Sequence, residues 1–193
     1  IEADYTIIVN ASNITVGDIE KITVHVNEDA TGSVTITVDG KTYSAPIDKG
    51  LTTFKIDNLA SGSYDVLASY DGDENYLPGT NTSSFSVGKH NAPISVSAKD
   101  VKEGENAVVH VILPAGATGS VKVTVYDKSY TNQLIDGKTT VTVPDLAKGS
   151  YIVNVNYSGD DNYLANSTQV PLSVGKKAVE PPAIENNTDE NLN

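Results

Sequence analysis

The sequence predicts an all-β protein built from two tandem β-sandwich domains of about seven short strands each. Two observations support this prediction. The chain repeats itself without a gap after 87 residues, and each repeat alternates apolar and polar residues with a period of two. No stretch sustains the 3.6-residue period of an amphipathic helix, so the strands have no helical competitor.

The internal repeat sets the domain boundaries. The segment ATGSV at residues 30–34 recurs at 117–121, and GSY at 62–64 recurs at 149–151. Thirty-three of 85 positions are identical when residues 5–89 are aligned with 92–176. We therefore predict one domain over residues 1–89 and a second over 90–176, each long enough for its own core. Residues 177–193 lose the periodicity and carry a Pro pair and an acidic excess, which predicts a linker or tail.

Seven apolar alternations mark the strands of the first repeat in chain order, and the second repeat keeps their phase. They contain Ile7 and Val9; Ile22, Val24 and Val26; Val34, Ile36 and Val38; Tyr43 and Ile47; Phe54 and Ile56; Tyr64, Val66, Ala68 and Tyr70; and Phe85 and Val87. Turn pairs such as Asp39-Gly40, Lys49-Gly50 and Asp71-Gly72 separate them. Strands this short, with turns every 8 to 12 residues, predict two antiparallel sheets joined as a Greek key.

Composition excludes several classes of protein. The chain has 25 acidic residues and 13 basic ones, all of them Lys, for a net charge of -12, so nucleic acid is not an expected partner. It has no Cys, and hence neither a disulfide framework nor a thiolate nucleophile. Apolar runs are too short for a membrane segment, and nothing resembles a signal peptide. Because the chain begins at Ile1, we expect it to be a piece of a longer protein.

A repeated tyrosine motif sharpens the fold prediction. The pattern Leu-x-x-Gly-x-Tyr-x-Val places Tyr64 in the first repeat and Tyr151 in the second at the start of the sixth strand. A tyrosine corner occupies this position, with its hydroxyl bonded to nearby backbone. The alternative is an ordinary core tyrosine.

The segments YDGDENYL at 70–77 and YSGDDNYL at 157–164, each preceded by GSYxV, resemble the bacterial-type Ig-like repeats of large surface proteins. They are especially similar to the repeats of adhesin-like proteins in methanogenic archaea. The resemblance covers roughly residues 4–176. It implies tandem immunoglobulin-like Greek-key sandwiches in an extracellular, cell-surface protein with a stalk or adhesive role, and it implies no ligand.

The acidic loop after Tyr70 is the best candidate for a metal site. Asp71, Asp73 and Asn75 have the spacing of the first three ligands of a calcium loop. Tyr76 stands where such a loop needs Gly, and Thr82 replaces its bidentate Glu. We therefore favour a soluble turn with no cofactor, with calcium as the alternative.

The same loop is a candidate contact surface. In a seven-strand sandwich it lies at one end with the loop between the second and third strands. Together the two loops would form an acidic tip on the first domain, which we expect to contact a cationic partner or a neighbouring repeat. Its residues are Glu28, Asp29, Asp71, Asp73 and Glu74. The alternative is a solvated end.

No catalytic constellation is visible. No Ser has a repeated base and orienting acid near it, and no Gly-rich loop precedes a helix, so we do not expect an enzyme. The leading hypothesis is a noncatalytic extracellular spacer that also serves adhesion, with neighbouring repeats of the parent protein as its partners. The alternatives are a module that binds a host or cell-surface protein or glycan through its loop tips, and an accessory domain of a larger surface enzyme.

Overall fold

The computed structural model describes residues 6–177, which contain sixteen β-strands and no helix. The chain divides into two compact units. Among the described residues, the first contains 6–92 together with Ser158–Ala165, and the second contains Pro93–Tyr157 together with 166–177. Apart from Lys177, the predicted tail at 177–193 lies outside the described residues.

The first unit is a sandwich of a three-stranded and a five-stranded sheet. Its strands are β1 (Ile8–Asn10), β2 (Ile14–Thr15), β3 (Glu20–His25), β4 (Ser33–Val38), β5 (Lys41–Pro46), β6 (Leu51–Ile56), β7 (Gly62–Tyr70) and β8 (Gly79–Gly88). The sheet orders are β1-β3-β6 and β2-β8-β7-β4-β5. All pairs are antiparallel except β2 with β8, which is parallel.

The second unit repeats this topology. Its strands are β9 (Ser95–Ala98), β10 (Val101–Lys102), β11 (Ala107–Ile112), β12 (Ser120–Val125), β13 (Lys128–Gln133), β14 (Lys138–Val143), β15 (Gly149–Tyr157) and β16 (Asn166–Gly175). The sheet orders are β14-β11-β9 and β10-β16-β15-β12-β13, with β10 parallel to β16. The prediction of two tandem Ig-like Greek-key sandwiches is confirmed, with the first predicted strand of each divided between the two sheets.

Alternation fills the space between the sheets. Along β3, β4 and β6, every second side chain is buried, including Ile22, Val24, Val34 and Ile36, each 0% exposed. The intervening side chains, mostly Thr, Ser and Lys, lie on the outer faces. Each unit therefore buries its own set of apolar side chains, as a strand with one wet face requires.

One charged side chain is buried in the first unit. Glu20 is 1% exposed, and its Oε1 accepts a hydrogen bond of 2.8 Å from the backbone N–H of Ser12, between β1 and β2. The corresponding residue of the second unit is the buried Ala107. Glu20 thus satisfies backbone where the first strand crosses from one sheet to the other.

His90, which follows the first repeat, makes several hydrogen bonds within the first unit. The backbone N–H of His90 donates to the carbonyl of Asn162 at 2.8 Å, and the N–H of Leu164 donates to the carbonyl of His90 at 2.9 Å. The carbonyl of Val16 lies 2.9 Å from Nε2 of His90. The backbone of His90 is therefore fixed by hydrogen bonds on both sides.

Candidate functional site

The loop between β7 and β8, residues 71–78, folds back on itself at Gly72. Gly72 has a φ of +82°, in the region that favours glycine, and a Cβ added there would lie 2.6 Å from the carbonyl oxygen of Tyr76. The N–H of Asp73 donates to that same oxygen at 2.9 Å. Glycine is therefore required because two stretches of backbone approach each other too closely for a side chain.

Asp73 ties this loop to the loop between β3 and β4. Its Oδ1 accepts the backbone N–H groups of Asn75 at 2.8 Å and Tyr76 at 2.9 Å. Its Oδ2 accepts the N–H of Thr31 at 2.8 Å and the hydroxyl of Thr31 at 3.0 Å. These donors, the Thr31 N–H foremost, hold the pKa of Asp73 well below its usual value because they stabilise the ionised carboxylate.

Two tyrosines strengthen the same connection. The hydroxyl of Tyr70 donates to the carbonyl of Thr31 at 3.0 Å, and the hydroxyl of Tyr76 donates to Oδ1 of Asp29 at 2.6 Å. The hydrogen bond to Asp29 raises the pKa of Tyr76, because it favours the protonated phenol. The tip of the first unit is thus two loops held together by carboxylate, phenol and backbone.

The second repeat builds the corresponding loop by the same means but has fewer acidic residues there. Oδ1 of Asp160 accepts the N–H groups of Asn162 at 2.8 Å and Tyr163 at 2.7 Å, and Gly159 has a φ of +81°. The positions of Glu28, Asp29 and Asp71 are occupied by Ala115, Gly116 and Ser158. The residues that both repeats share therefore maintain the loop, whereas the additional acidic residues occur only in the first repeat.

The predicted calcium ligands are arranged for loop closure. Both carboxylate oxygens of Asp73 already accept N–H or O–H donors, and Asn75 enters through its backbone N–H. Within residues 6–177, no three His, Asp or Glu side chains come together as metal ligands. The four hydrogen bonds to Asp73 account for the closure of the loop, and the choice between a soluble turn and a calcium site stays a prediction.

The predicted contact tip contains two kinds of carboxylate. Asp29 and Asp73 accept hydrogen bonds from Tyr76 and Thr31, as described above. Glu28, Asp71 and Glu74 are exposed and make no side-chain hydrogen bond or ion pair with other described residues. Only these last three offer unengaged carboxylates to a partner, and contact through them stays a prediction.

Tyr64 and Tyr151 bond back to the chain just before their strands. The hydroxyl of Tyr64 donates to the carbonyl of Ala60 at 2.8 Å, and that of Tyr151 donates to Ala147 at 2.7 Å. The ring of Tyr64 stacks on Phe85 with 5.3 Å between centroids. Both tyrosines therefore have the geometry of a tyrosine corner, which fixes the connection from β6 to β7 and from β14 to β15.

Replacing Tyr64 with Phe is expected to lower the free energy of unfolding of the first unit by about 1 kcal/mol, because the Ala60 carbonyl loses its donor. Urea denaturation checks this. Tyr43→Phe is the control, since the Tyr43 hydroxyl makes no hydrogen bond within the described residues. Equal effects of the two substitutions would contradict a stabilising role for the corner.

Replacing Asp73 with Asn is expected to lower the Tm of the first unit by about 5 °C at pH 7, because the Asn side chain has one acceptor oxygen where the carboxylate has two. A carboxylate whose pKa is lowered in the folded state stabilises that state at pH values above the usual aspartate pKa. This stabilisation is lost as the pH falls from there through the lowered pKa of Asp73. The difference from the wild type should therefore shrink below about pH 4. Asp71→Asn is the control and should leave Tm unchanged at pH 7.

Sequence reasoning missed two features of this unit. Glu20 is in phase with Ile22 and Val24, and that alternation was the available signal for its burial. The hydrogen bonds from Thr31 to Asp73 span 42 residues, and no local pattern in the sequence indicates them.

Among residues 6–177 there is no helix long and apolar enough to cross a membrane.

The chain is similar to several solved structures. Among solved structures, the fibronectin(III)-like modules of Clostridium thermocellum CbhA are 13% identical, with 90% of this chain and 95% of theirs covered and a TM-score of 0.38. Dimeric latent PorU from Porphyromonas gingivalis is 16% identical, with 90% and 20% covered and a TM-score of 0.37. Red sea bream transglutaminase is 13% identical, with 90% and 31% covered and a TM-score of 0.39.

This chain thus spans only a fifth to a third of the length of the last two proteins. No curated protein matches it. Residues 7–88, which lie in the first unit, match the family model of the bacterial Ig-like domain (group 3). The first unit is thus similar to a bacterial Ig-like domain of group 3.

Proposed function

We propose that this chain is a noncatalytic extracellular segment of a cell-surface, adhesin-like protein and that it acts there as a spacer. The similarity of residues 7–88 to a bacterial Ig-like domain supports the extracellular setting, because such domains are commonly extracellular. The spacer role rests on the direction in which the chain passes through each unit.

The observation that carries the proposal is the parallel pairing of β2 with β8 and of β10 with β16. Strands near the two ends of each unit run in the same direction, so the chain enters a unit at one end and leaves at the other. Each unit therefore contributes its full length to the span of the polypeptide. An antiparallel pairing of these strands would return the chain to its starting end.

The same pairs suit a spacer under tension. Ile14 pairs with Val87, and the N–H of Val16 donates to the carbonyl of Gly88 at 2.9 Å. In the second unit, the N–H of Glu103 donates to Gly175 at 3.0 Å. A force that pulls the two chain ends apart acts on these hydrogen bonds in the direction of the strands. The force is therefore distributed over all of them. The join at residues 90–93 is short, and Pro93 fixes its own φ, so the join adds little chain length that could extend under force.

The test exchanges sequence while keeping length. In the parent protein, this segment is replaced by two Ig-like domains of unrelated sequence and equal length, or is deleted. A spacer predicts that surface attachment survives the exchange and weakens on deletion. Labelling intact cells with an antibody against this segment checks the cell-surface location. Attachment lost equally in both variants would contradict the spacer role.

A second candidate, contact through the acidic tip, is favoured by Glu28, Asp71 and Glu74, which are exposed in the first unit. We propose that these carboxylates meet a cationic partner or a neighbouring repeat. Attachment should then weaken with salt, because exposed charges are screened. The variant Glu28→Gln, Asp71→Asn, Glu74→Gln should weaken it equally at low salt, and unchanged attachment would rule this contact out.

A further inference from the structure

The outer face of the five-stranded sheet in the second unit carries a run of uncharged hydrogen-bonding side chains. The strand register places Thr124 beside Asn154, and Asn154 beside Gln169. A second row brings Asn156 beside Ser167. Neighbouring strands lie about 4.8 Å apart, so three adjacent side chains span about the width of one small ligand. We call Thr124, Asn154, Asn156, Ser167 and Gln169 the amide face.

The amide face surrounds a shallow depression of about 480 Å³. Thr124, Asn154, Asn156, Ser167, Thr168 and Gln169 line it, and none of them is ionisable. On a chain with a net charge of -12, this is a neutral polar patch. Lys122, in the row of Asn156, is the one cation in these two rows.

The framework does not require this chemistry, because the first unit has the same strands with other side chains. Leu67 and Thr82 occupy the positions of Asn154 and Gln169. The depression there, about 380 Å³, is lined in part by Asp39 and Asp65. The amides are therefore a feature of the second unit and not of the fold.

The turn that follows Thr124 carries an exposed aromatic residue, Tyr126. It lies two residues beyond Thr124, in the turn between β12 and β13, and is 81% exposed. Its φ of 55° lies in the left-handed region, which bulky residues rarely adopt. The first unit has Asp39 at this position, with a φ of 51°. The positive φ therefore belongs to the hairpin turn of both units, and the aromatic ring is what distinguishes the second unit.

We propose that the amide face binds a neutral oligosaccharide or polysaccharide. Asn and Gln amides each present a donor and an acceptor, as hydroxyl-rich ligands require, and Tyr126 offers a ring on which a sugar can stack. A protein partner would call for an apolar centre, which this depression lacks. To an anionic polymer the two rows offer a single cation, Lys122. This binding activity goes beyond the spacer role and does not depend on it.

The first experiment titrates the full chain with dextran, soluble β-glucan, mannan and galactan, with polygalacturonate as the anionic comparison. The probe is the set of side-chain amide signals of Asn154 and Gln169 in ¹H–¹⁵N NMR spectra. At least one neutral polysaccharide should shift these signals, and 0.5 M salt should not reverse the shift. No shift with any of the four neutral polysaccharides would overturn the proposal, as would binding to polygalacturonate alone.

The second experiment uses the residues of the first unit as substitutions that this framework accepts. The double variant Asn154→Leu, Gln169→Thr should bind the same polysaccharide about tenfold more weakly or worse. Thr142→Ala, on the three-stranded sheet, is the control and should bind like the wild type. Undiminished binding by the double variant would overturn the assignment to the amide face.

Tyr126→Asp separates binding from folding. Aspartate tolerates a left-handed φ better than tyrosine, so the Tm should stay equal or rise, while affinity should fall about threefold or more. Unchanged affinity would remove Tyr126 from the site. Asn156 also begins an N-x-Ser sequon. Mass spectrometry showing a glycan on Asn156 in native material would overturn the proposal, because the face would then be covered.

Discussion

Replacing Gly72 with Ala is expected to lower the free energy of unfolding of the first unit by about 3 kcal/mol. A Cβ at this position would lie 2.6 Å from the carbonyl oxygen of Tyr76 and 2.8 Å from the backbone N of Pro78. Neither backbone atom can move away like the end of a side chain. The φ of +82° adds a conformational penalty for any residue with a Cβ. Urea denaturation of the full chain measures the loss.

Gly40→Ala is the matched control for Gly72→Ala. Gly40 also has a positive φ, +69°, but no atom lies within 4 Å of an added Cβ. It should therefore show the conformational penalty alone, about 1 kcal/mol. The Thr31 amide signal, which reports the bond to Asp73, should shift only in Gly72→Ala. Equal losses in the two variants would show that close backbone approach does not determine the loop.

Sequence pattern predicts the sandwich because burial acts on each strand separately. The phase of Ile22 and Val24, or of Val34 and Ile36, depends only on which side of the strand faces the core. The split of the first strand is not predictable in this way. The strands β1 and β2 have three and two residues, which is too short for a period to identify two separate strands.

The candidate site is harder to predict, because its contacts join distant parts of the chain. Alternating oxygens at Asp71, Asp73 and Asn75 suit either a cation or backbone N–H groups, and the hydrogen bonds that Asp73 accepts from Thr31 come from a loop 42 residues away. The amide face has the same difficulty. Thr124, Asn154 and Gln169 become neighbours only through the register of three strands. Composition and spacing carry no record of that register.

Ile36→Ala is expected to destabilise the first unit by about 3 kcal/mol and to leave the second unit unchanged. Ile36 is 0% exposed in β4, paired with both β5 and β7, so the lost methyl groups leave a cavity that the sheet cannot close. Since each unit buries its own apolar side chains, calorimetry should show one transition lowered and one retained.

Val123→Ala provides the reciprocal case. Val123 is the corresponding residue of β12 and is also 0% exposed, but it loses one carbon fewer. The cost should therefore be smaller, about 2 kcal/mol, and should fall on the other transition. If either substitution lowered both transitions together, the two units would unfold as one cooperative body. The two modules could then no longer be treated as independent lengths added to a spacer.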